Sequence, residues 1–362
     1  MNRVPRDKLL FIPADLMNGI SNENAEIVTK YVQEMLNEGL SKRHCSNSGL
    51  WAAMLAKRTN KPFKKMTRDN IIEFLNSFII PEDQDPLWKS TGTYNLIRIC
   101  IRRFFRWLYN PNVSSSKRKT LTPPKVIENI PTRVRRKGRE IYKHSDLWTQ
   151  EDVALFLKYS RYLRDSAYVA MAHETSARPH ELLRLKIKDI EDKIMPNNVS
   201  YTGFIASGKT GERELVLINS IPIVRKWIDA HPQSANPNAA LFYSKKKNHM
   251  SIETLESIFK KYKEKHFPAL LNTDIPEEDK QKIKESIKKP WNPYIFRHTD
   301  LTNKTRFLIE AELEQHAGWR PGSKMRVRYQ HLVGDEYNET ILRRAGKLPP
   351  KDEEKGSWNW MC

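Results

Sequence analysis

Four stretches in the second half of the sequence hold residues suited to phosphate chemistry. In HETSARPHELLRLK, Arg178 stands at the start of a helical pattern whose Leu182, Leu183 and Leu185 face a core, with Glu181 one turn on. GFIASGKT, residues 203–210, carries Lys209 between glycines. In NPYIFRHTDLTN, Tyr294 and Arg297 are three apart and project together from one helix face. In GWRPGSKMRVRYQHL, Tyr329 is embedded among Arg326, Arg328 and His331. Guanidiniums give forked hydrogen bonds to phosphate oxygens, an ammonium can pass a proton, and a phenol is a nucleophile once nearby charge is neutralised. Taken singly, each has an ordinary explanation: a surface cap partner, a solvated lysine on a hairpin tip, a core tyrosine.

GFIASGKT also matches the phosphate-cradling pattern G-x-x-x-x-G-K-[ST]. A nucleotide-binding loop needs a helix opening at its last residues, so that free N–H groups and the helix dipole meet the phosphate. Here ELVLI, a short β-branched apolar run, follows Gly211 instead. S-G-K-T-G between two apolar runs predicts a β-hairpin with Lys209 at its turn. A P-loop ATPase would also need an acidic residue ending a second apolar strand, and the sequence offers no convincing one.

The elements that must position these residues follow from the periodicities. Residues 1–19 form an N-terminal segment. Residues 20–110 read as a small helical unit, with apolar residues at helical spacing in NAEIVTKYVQEMLNEG, SGLWAAMLAKR, TRDNIIEFLNSFI and TYNLIRICIRRFFRWLYN. The last of these puts Tyr94, Ile97, Ile101, Phe104, Phe105 and Leu108 on one arc and Arg98, Arg102 and Arg106 in a row along its edge. The row suits either a solvated face or a phosphate backbone.

From 111 to 146 the periodicity stops, and the text turns into a Ser-, Pro-, Lys- and Arg-rich linker containing Arg133, Arg135, Arg136, Lys137 and Arg139. Such a run suits either a disordered segment or, since it joins two ordered halves, one that tracks a backbone groove. A second domain, 147–346, opens with Thr149 as N-cap and Asp152 three residues on, and continues as one helix through AYVAMAHETSARPHELLRLK. Further helices are expected in IPIVRKWIDA, SIETLESIFKKYKEKH and from Asn292–Pro293. Residues 347–362 are a polar tail ending in an apolar Trp358, Trp360 and Met361 plug. The fold class is mainly α with a small antiparallel β-sheet.

The formal charge of +20 in a chain with enough apolar residues for two cores points to an extended polyanionic partner, nucleic acid first. There is no long apolar span, so no membrane partner is expected. Cys45, Cys100 and Cys362 share no metal-ligand spacing, which suggests a reducing compartment and no metal.

In order, R…K…YxxR…W…Y, the second domain resembles the catalytic domain of the tyrosine recombinases, the phage-type integrases, and its closing stretch is similar to archaeal members. TSARPHELLRL resembles the motif T-G-x-R-x-x-E-L, with Ser176 in place of its glycine; YIFRH resembles H-x-x-R-H, and RYQHL resembles Y-x-H.

The resemblance implies a helical core-binding domain joined to a catalytic domain. It implies catalytic Arg178, Lys209, Tyr294, Arg297, Trp319 and Tyr329, supported by Glu181, His298 and His331. Tyr294 and Trp319 stand where many relatives have His or Lys and His; both are read as hydrogen-bond donors to phosphate. His316 lies outside the match and reads as structural.

The implied activity is site-specific strand exchange on double-stranded DNA through a 3′-phosphotyrosyl bond, without cofactor, ATP or metal. It would be carried out by a monomer that assembles into a tetramer on paired sites, in the cytoplasm with the nucleoid. A type IB topoisomerase-like nicking-closing enzyme and a non-catalytic DNA clamp are the alternatives.

Overall fold

The computed structural model describes residues 12–81, 83–85, 89–134, 142–208, 211–244, 248–306 and 308–329, with the single positions 342 and 347; of Val327 and Arg328 it describes the backbone only. The chain divides into two compact units, Met1–Ile141 and Tyr142–Cys362, each with its own apolar core.

The first unit contains α1 (Ala14–Asn18), α2 (Asn22–Asn37), α3 (Lys42–Thr59), α4 (Arg68–Asn76), α5 (Lys89–Tyr109) and the short α6 (Ser115–Arg118). Ser21, Ser41 and Thr67 accept first-turn N–H groups of α2, α3 and α4. Each such cap stabilises its helix by about 1 kcal/mol. The arc expected on α5 is buried: Tyr94, Ile97, Ile101, Phe104 and Phe105 are sealed from solvent. Phe104 meets Tyr31 and Phe63 at ring-centroid distances of 5.2 and 4.6 Å.

The segment after α5 differs from the basic linker expected over 111–146. Val126 and Ile127 enter the first unit's core on a 3-10 turn after paired prolines, and Ile130 joins them just beyond it; so short an apolar run carries no helical period. Two arginines of the α5 row hold this segment down. Arg98 Nε donates to the Ile130 carbonyl at 2.9 Å, and Arg106 Nη1 donates to the carbonyls of Arg118 and Leu121. Arg133 reaches Asn76 Oδ1 at 3.0 Å and lies over the Tyr94 ring. Arg135, Arg136, Lys137 and Arg139 lie outside the described residues.

The second unit runs α7 (Gln150–Tyr159), α8 (Leu163–Thr175), α9 (Pro179–Leu182), β1 (Glu191–Ile194), β2 (Ser200–Gly208), β3 (Gly211–Leu217), α10 (Ile221–Asp229), α11 (Ile252–Lys261), α12 (Phe267–Leu270), α13 (Glu277–Ser286), α14 (Ile295–Lys304) and α15 (Glu310–Ala317). Thr149 and Asp152 form the capping box of α7. The three strands make one antiparallel sheet in the order β1-β2-β3. Its inward residues Phe204, Ala206, Leu215 and Leu217 join the core.

The single helix expected over 167–186 is broken. Ser176 closes α8 in the left-handed region, at φ 50°, and Pro179 opens α9 where its missing N–H costs nothing. Among the described residues no helix is long and apolar enough to cross a membrane.

Candidate active site

The hairpin answers the GFIASGKT question structurally. Gly208 pairs with Gly211, and strand β3 follows where a phosphate-binding loop would need a helix. Lys209 itself lies outside the described residues. The hairpin's end lies against the Arg178 motif: a Cβ on Gly208 would fall 2.4 Å from Glu181 Oε1 and 3.6 Å from Arg178 Nη1. Any side chain at 208 would push these groups apart.

Arg178 is the N-cap of α9. Its backbone N–H donates to Glu181 Oε2 at 2.8 Å, its Nη1 to Oε1 at 3.0 Å, and its Nη2 reaches the Gly318 carbonyl at 3.4 Å. Arg297, on α14, is 4% exposed and donates from Nη1 to the Ser176 carbonyl and from Nη2 to the Ala317 carbonyl, both at 2.6 Å. Burial, and then the nearby Arg178 charge, lower its pKa to about 10, so it stays a cation at neutral pH. The left-handed turn at Ser176 aims that carbonyl at Arg297.

Tyr329 follows the 3-10 turn Lys324–Arg328 and is 4% exposed. Its ring stacks on Trp319 at 5.3 Å and packs against His298 at 5.1 Å, with Leu301, Leu313 and Ala317 beside it. His298 in turn meets the Tyr142 ring edge-on at 4.7 Å. The loop carrying Trp319 is braced by Glu314, whose carboxylate accepts the Gly322 and Ser323 N–H groups and whose carbonyl accepts that of Trp319. Three consecutive residues at the end of α15 thus serve three side chains: Ala317 receives Arg297, Gly318 receives Arg178, and Trp319 stacks on Tyr329.

Tyr294 stands at the start of α14, three residues before Arg297, and its carbonyl accepts the His298 N–H at 3.2 Å. The Asn292–Pro293 turn delays the helix, so Tyr294 is its N-cap and 38% exposed while Arg297 is buried within α14. His331 lies outside the described residues. His316 supports the site from behind: its Nε2 donates to Asp300 Oδ2 at 3.1 Å, while Lys304 binds Asp300 Oδ1 and the Glu174 carbonyl. Burial lowers the His316 pKa, so Lys304 is the charge that balances Asp300.

One residue escaped the sequence reading. Arg213, on β3, forks onto Glu181 with Nη1–Oε1 at 3.1 Å and Nη2–Oε2 at 2.9 Å. The signal was present, since Arg213 alternates in phase with the inward Leu215 and Leu217. Burial pushes the Glu181 carboxyl up, but the bonds and charge of Arg213, then those of Arg178, outweigh it and bring the pKa down to about 2. Among the described residues no cluster of His, Cys, Asp and Glu is arranged to hold a metal ion.

Residues 147–333 match the phage integrase family. No curated protein sequence matches the chain. Among solved structures, XerH recombinase bound to palindromic difH substrate is 15% identical, with a TM-score of 0.55 over 91% of this chain and 92% of that one. Lambda integrase, a dimer on a COC′ core site, is 13% identical, with a TM-score of 0.55 over 87% and 79%. The Tn1549 transposon integrase in complex with transposon right-end DNA is 13% identical, with a TM-score of 0.54 over 88% and 99%. At these identities the likeness is one of fold.

Proposed function

Because the chain belongs to the phage integrase family and is a tyrosine-type site-specific recombinase, we propose that Tyr329 is its nucleophile and that Arg178 and Arg297 bind the scissile phosphate. The convergence of both guanidiniums and the Tyr329 ring on three successive residues, Ala317, Gly318 and Trp319, carries this reading. In both arginines the Nε edge has no partner among the described residues, which leaves it for non-bridging oxygens.

Tyr329 Oη gives up its proton to solvent and attacks phosphorus, a tyrosyl–phosphate bond forms, and the bond to the 5′ oxygen breaks. Lys209, on the turn whose base lies against Arg178, gives its proton to that oxygen, and Tyr294 and Trp319 donate hydrogen bonds to the phosphate. Negative charge develops where fixed cations already stand, so little reorganisation is needed. His298 and Trp319 hold the phenol ring, while Glu181 braces Arg178 and His331 completes the motif. A second 5′ hydroxyl reverses the step.

The substrate is double-stranded DNA, in keeping with the charge of +20 and with the DNA complexes named for the neighbouring structures. Residues 20–110 serve as the core-binding domain and 147–346 as the catalytic domain; Arg102, with Arg98, Arg106 and the basic residues 133–139, adds phosphate contacts. Strand exchange needs four protomers on paired sites. The archaeal character of GWRPGSKMRVRYQHL supports an archaeal-type enzyme of a mobile element, acting in the cytoplasm on the nucleoid.

A nicked duplex carrying the attachment site, incubated in EDTA with wild type and Tyr329→Phe, tests the assignment. Wild type alone should give a protein–DNA adduct on a denaturing gel. An adduct with both proteins would remove Tyr329 from the role, and bound DNA with no adduct from either would leave a clamp.

A further inference from the structure

Glu181 is shared between two guanidiniums from different elements. Side-chain exposure falls from 22% at Arg178 to 5% at Arg213 and 0% at Glu181, so Arg178 keeps an open edge while Arg213 lies behind the carboxylate. The Arg213 Nε goes elsewhere, to the His316 carbonyl at 2.8 Å, and so ties β3 to the end of α15. Two glycines leave room for this arrangement. Gly208 does so at Glu181, and Gly318, at φ +62°, does so at Arg213, whose Nη1 would be 2.8 Å from a Cβ there.

We propose that Arg213 is a positioning residue for strand cleavage: it balances the Glu181 charge, so that Glu181 orients Arg178 without neutralising it, and it anchors the turn carrying Gly318 and Trp319. The inference rests on the recombinase reading above. Arg178 and Arg213 against Glu181 leave one net positive charge, to which Arg297 adds a second. Without Arg213, Arg178 is the only guanidinium left in contact with a buried carboxylate, and an ion pair closed on itself offers little field to a phosphate. A lysine would keep the charge but not the fork that spans both carboxylate oxygens.

Glu181 is faced by Arg178 and His180 from its own segment, by Arg213 from β3 and by Arg297 from α14. With Arg213 gone, burial is opposed chiefly by Arg178, so the carboxyl takes up a proton at a higher pH than in wild type. Protonation lifts the neutralisation of Arg178, so the cleavage lost with Arg213 must be partly recovered on the acidic side. A purely structural arginine would change the melting temperature and leave that profile in place.

The test is the rate of covalent adduct formation at saturating DNA between pH 5 and 8, with DNA affinity measured alongside. Wild type, Arg213→Gln, Arg213→Lys, Glu181→Gln and the Glu181→Gln/Arg213→Gln double variant are compared. Arg213→Gln should cleave about 10- to 100-fold more slowly with little change in affinity, the scale expected of a misplaced catalytic group. That deficit should narrow toward pH 5, Arg213→Lys should fall between, and at pH 8 the double variant should cleave faster than Arg213→Gln and lack the pH-dependent recovery. If Arg213→Gln does not fold, the Lys variant and the double variant carry the same comparison. An unmoved pH profile with a wild-type rate per folded molecule overturns the assignment. A wild type that forms no adduct overturns the recombinase reading beneath it.

Discussion

The two halves of the chain use arginine in opposite ways. On α5, Arg98 and Arg106 donate to backbone carbonyls, and Arg102 between them has no hydrogen bond or ion pair among the described residues. Burial and then the charges of Arg98 and Arg106 lower the Arg102 pKa. In the second unit, Arg178 and Arg213 close on one buried carboxylate, and Arg297 is fixed by two carbonyls. A row without a counter-charge attracts polyanions over a distance and is screened by salt; a site with a carboxylate at its centre has direction and little reach. On the proposed reading, the difference separates holding DNA from cutting it.

Three measurements break or sharpen that contrast. The largest effect belongs to Arg297→Ala, which should slow cleavage at saturating DNA by about 10²- to 10³-fold, the usual cost of losing a preorganised charge donor. Arg102→Ala should leave that saturated rate alone. If Arg297→Ala cleaves within about tenfold of wild type, the two groups of arginines are not distinct in role.

A smaller effect is expected for Arg102→Ala in binding. The plot of log affinity against log salt should become shallower by about one, since one phosphate contact and its released counterions are lost. An unchanged slope would return the row to a solvated face that pins residues 111–130.

The smallest concerns the residue that feeds Arg297. Ser176 sits at φ 50°, and its hydroxyl is buried without a hydrogen-bond partner. Ser176→Gly keeps the carbonyl used by Arg297 and relieves the left-handed strain, so thermal melting should rise by the equivalent of about 1 kcal/mol. A lower melting temperature would mean that the hydroxyl is needed where it lies.

Much of the site was legible because its residues fall in short local patterns. Arg178 with Glu181, the S-G-K-T-G turn and Y-x-x-R each announce themselves within a few residues. What was misread lies where local pattern and packing part company. Residues 111–130 show no helical period, yet Val126 and Ile127, on a 3-10 turn, and Ile130 just beyond it are buried in the first unit's core. Arg213 lies 32 residues from Glu181, and only the return of β3 beneath α9 brings the pair together.

The sequence by itself determined most of the helices, the hairpin and the order of the candidate catalytic residues, because side-chain period, caps and turn glycines act over a few positions. The tertiary structure alone decided which arginines are spent on carbonyls, which close on Glu181, and that Ala317, Gly318 and Trp319 gather Arg297, Arg178 and Tyr329 at one place. Charge is a property of composition, but the partner that balances it is chosen by packing, where leaving a buried cation or carboxylate alone costs several kcal/mol.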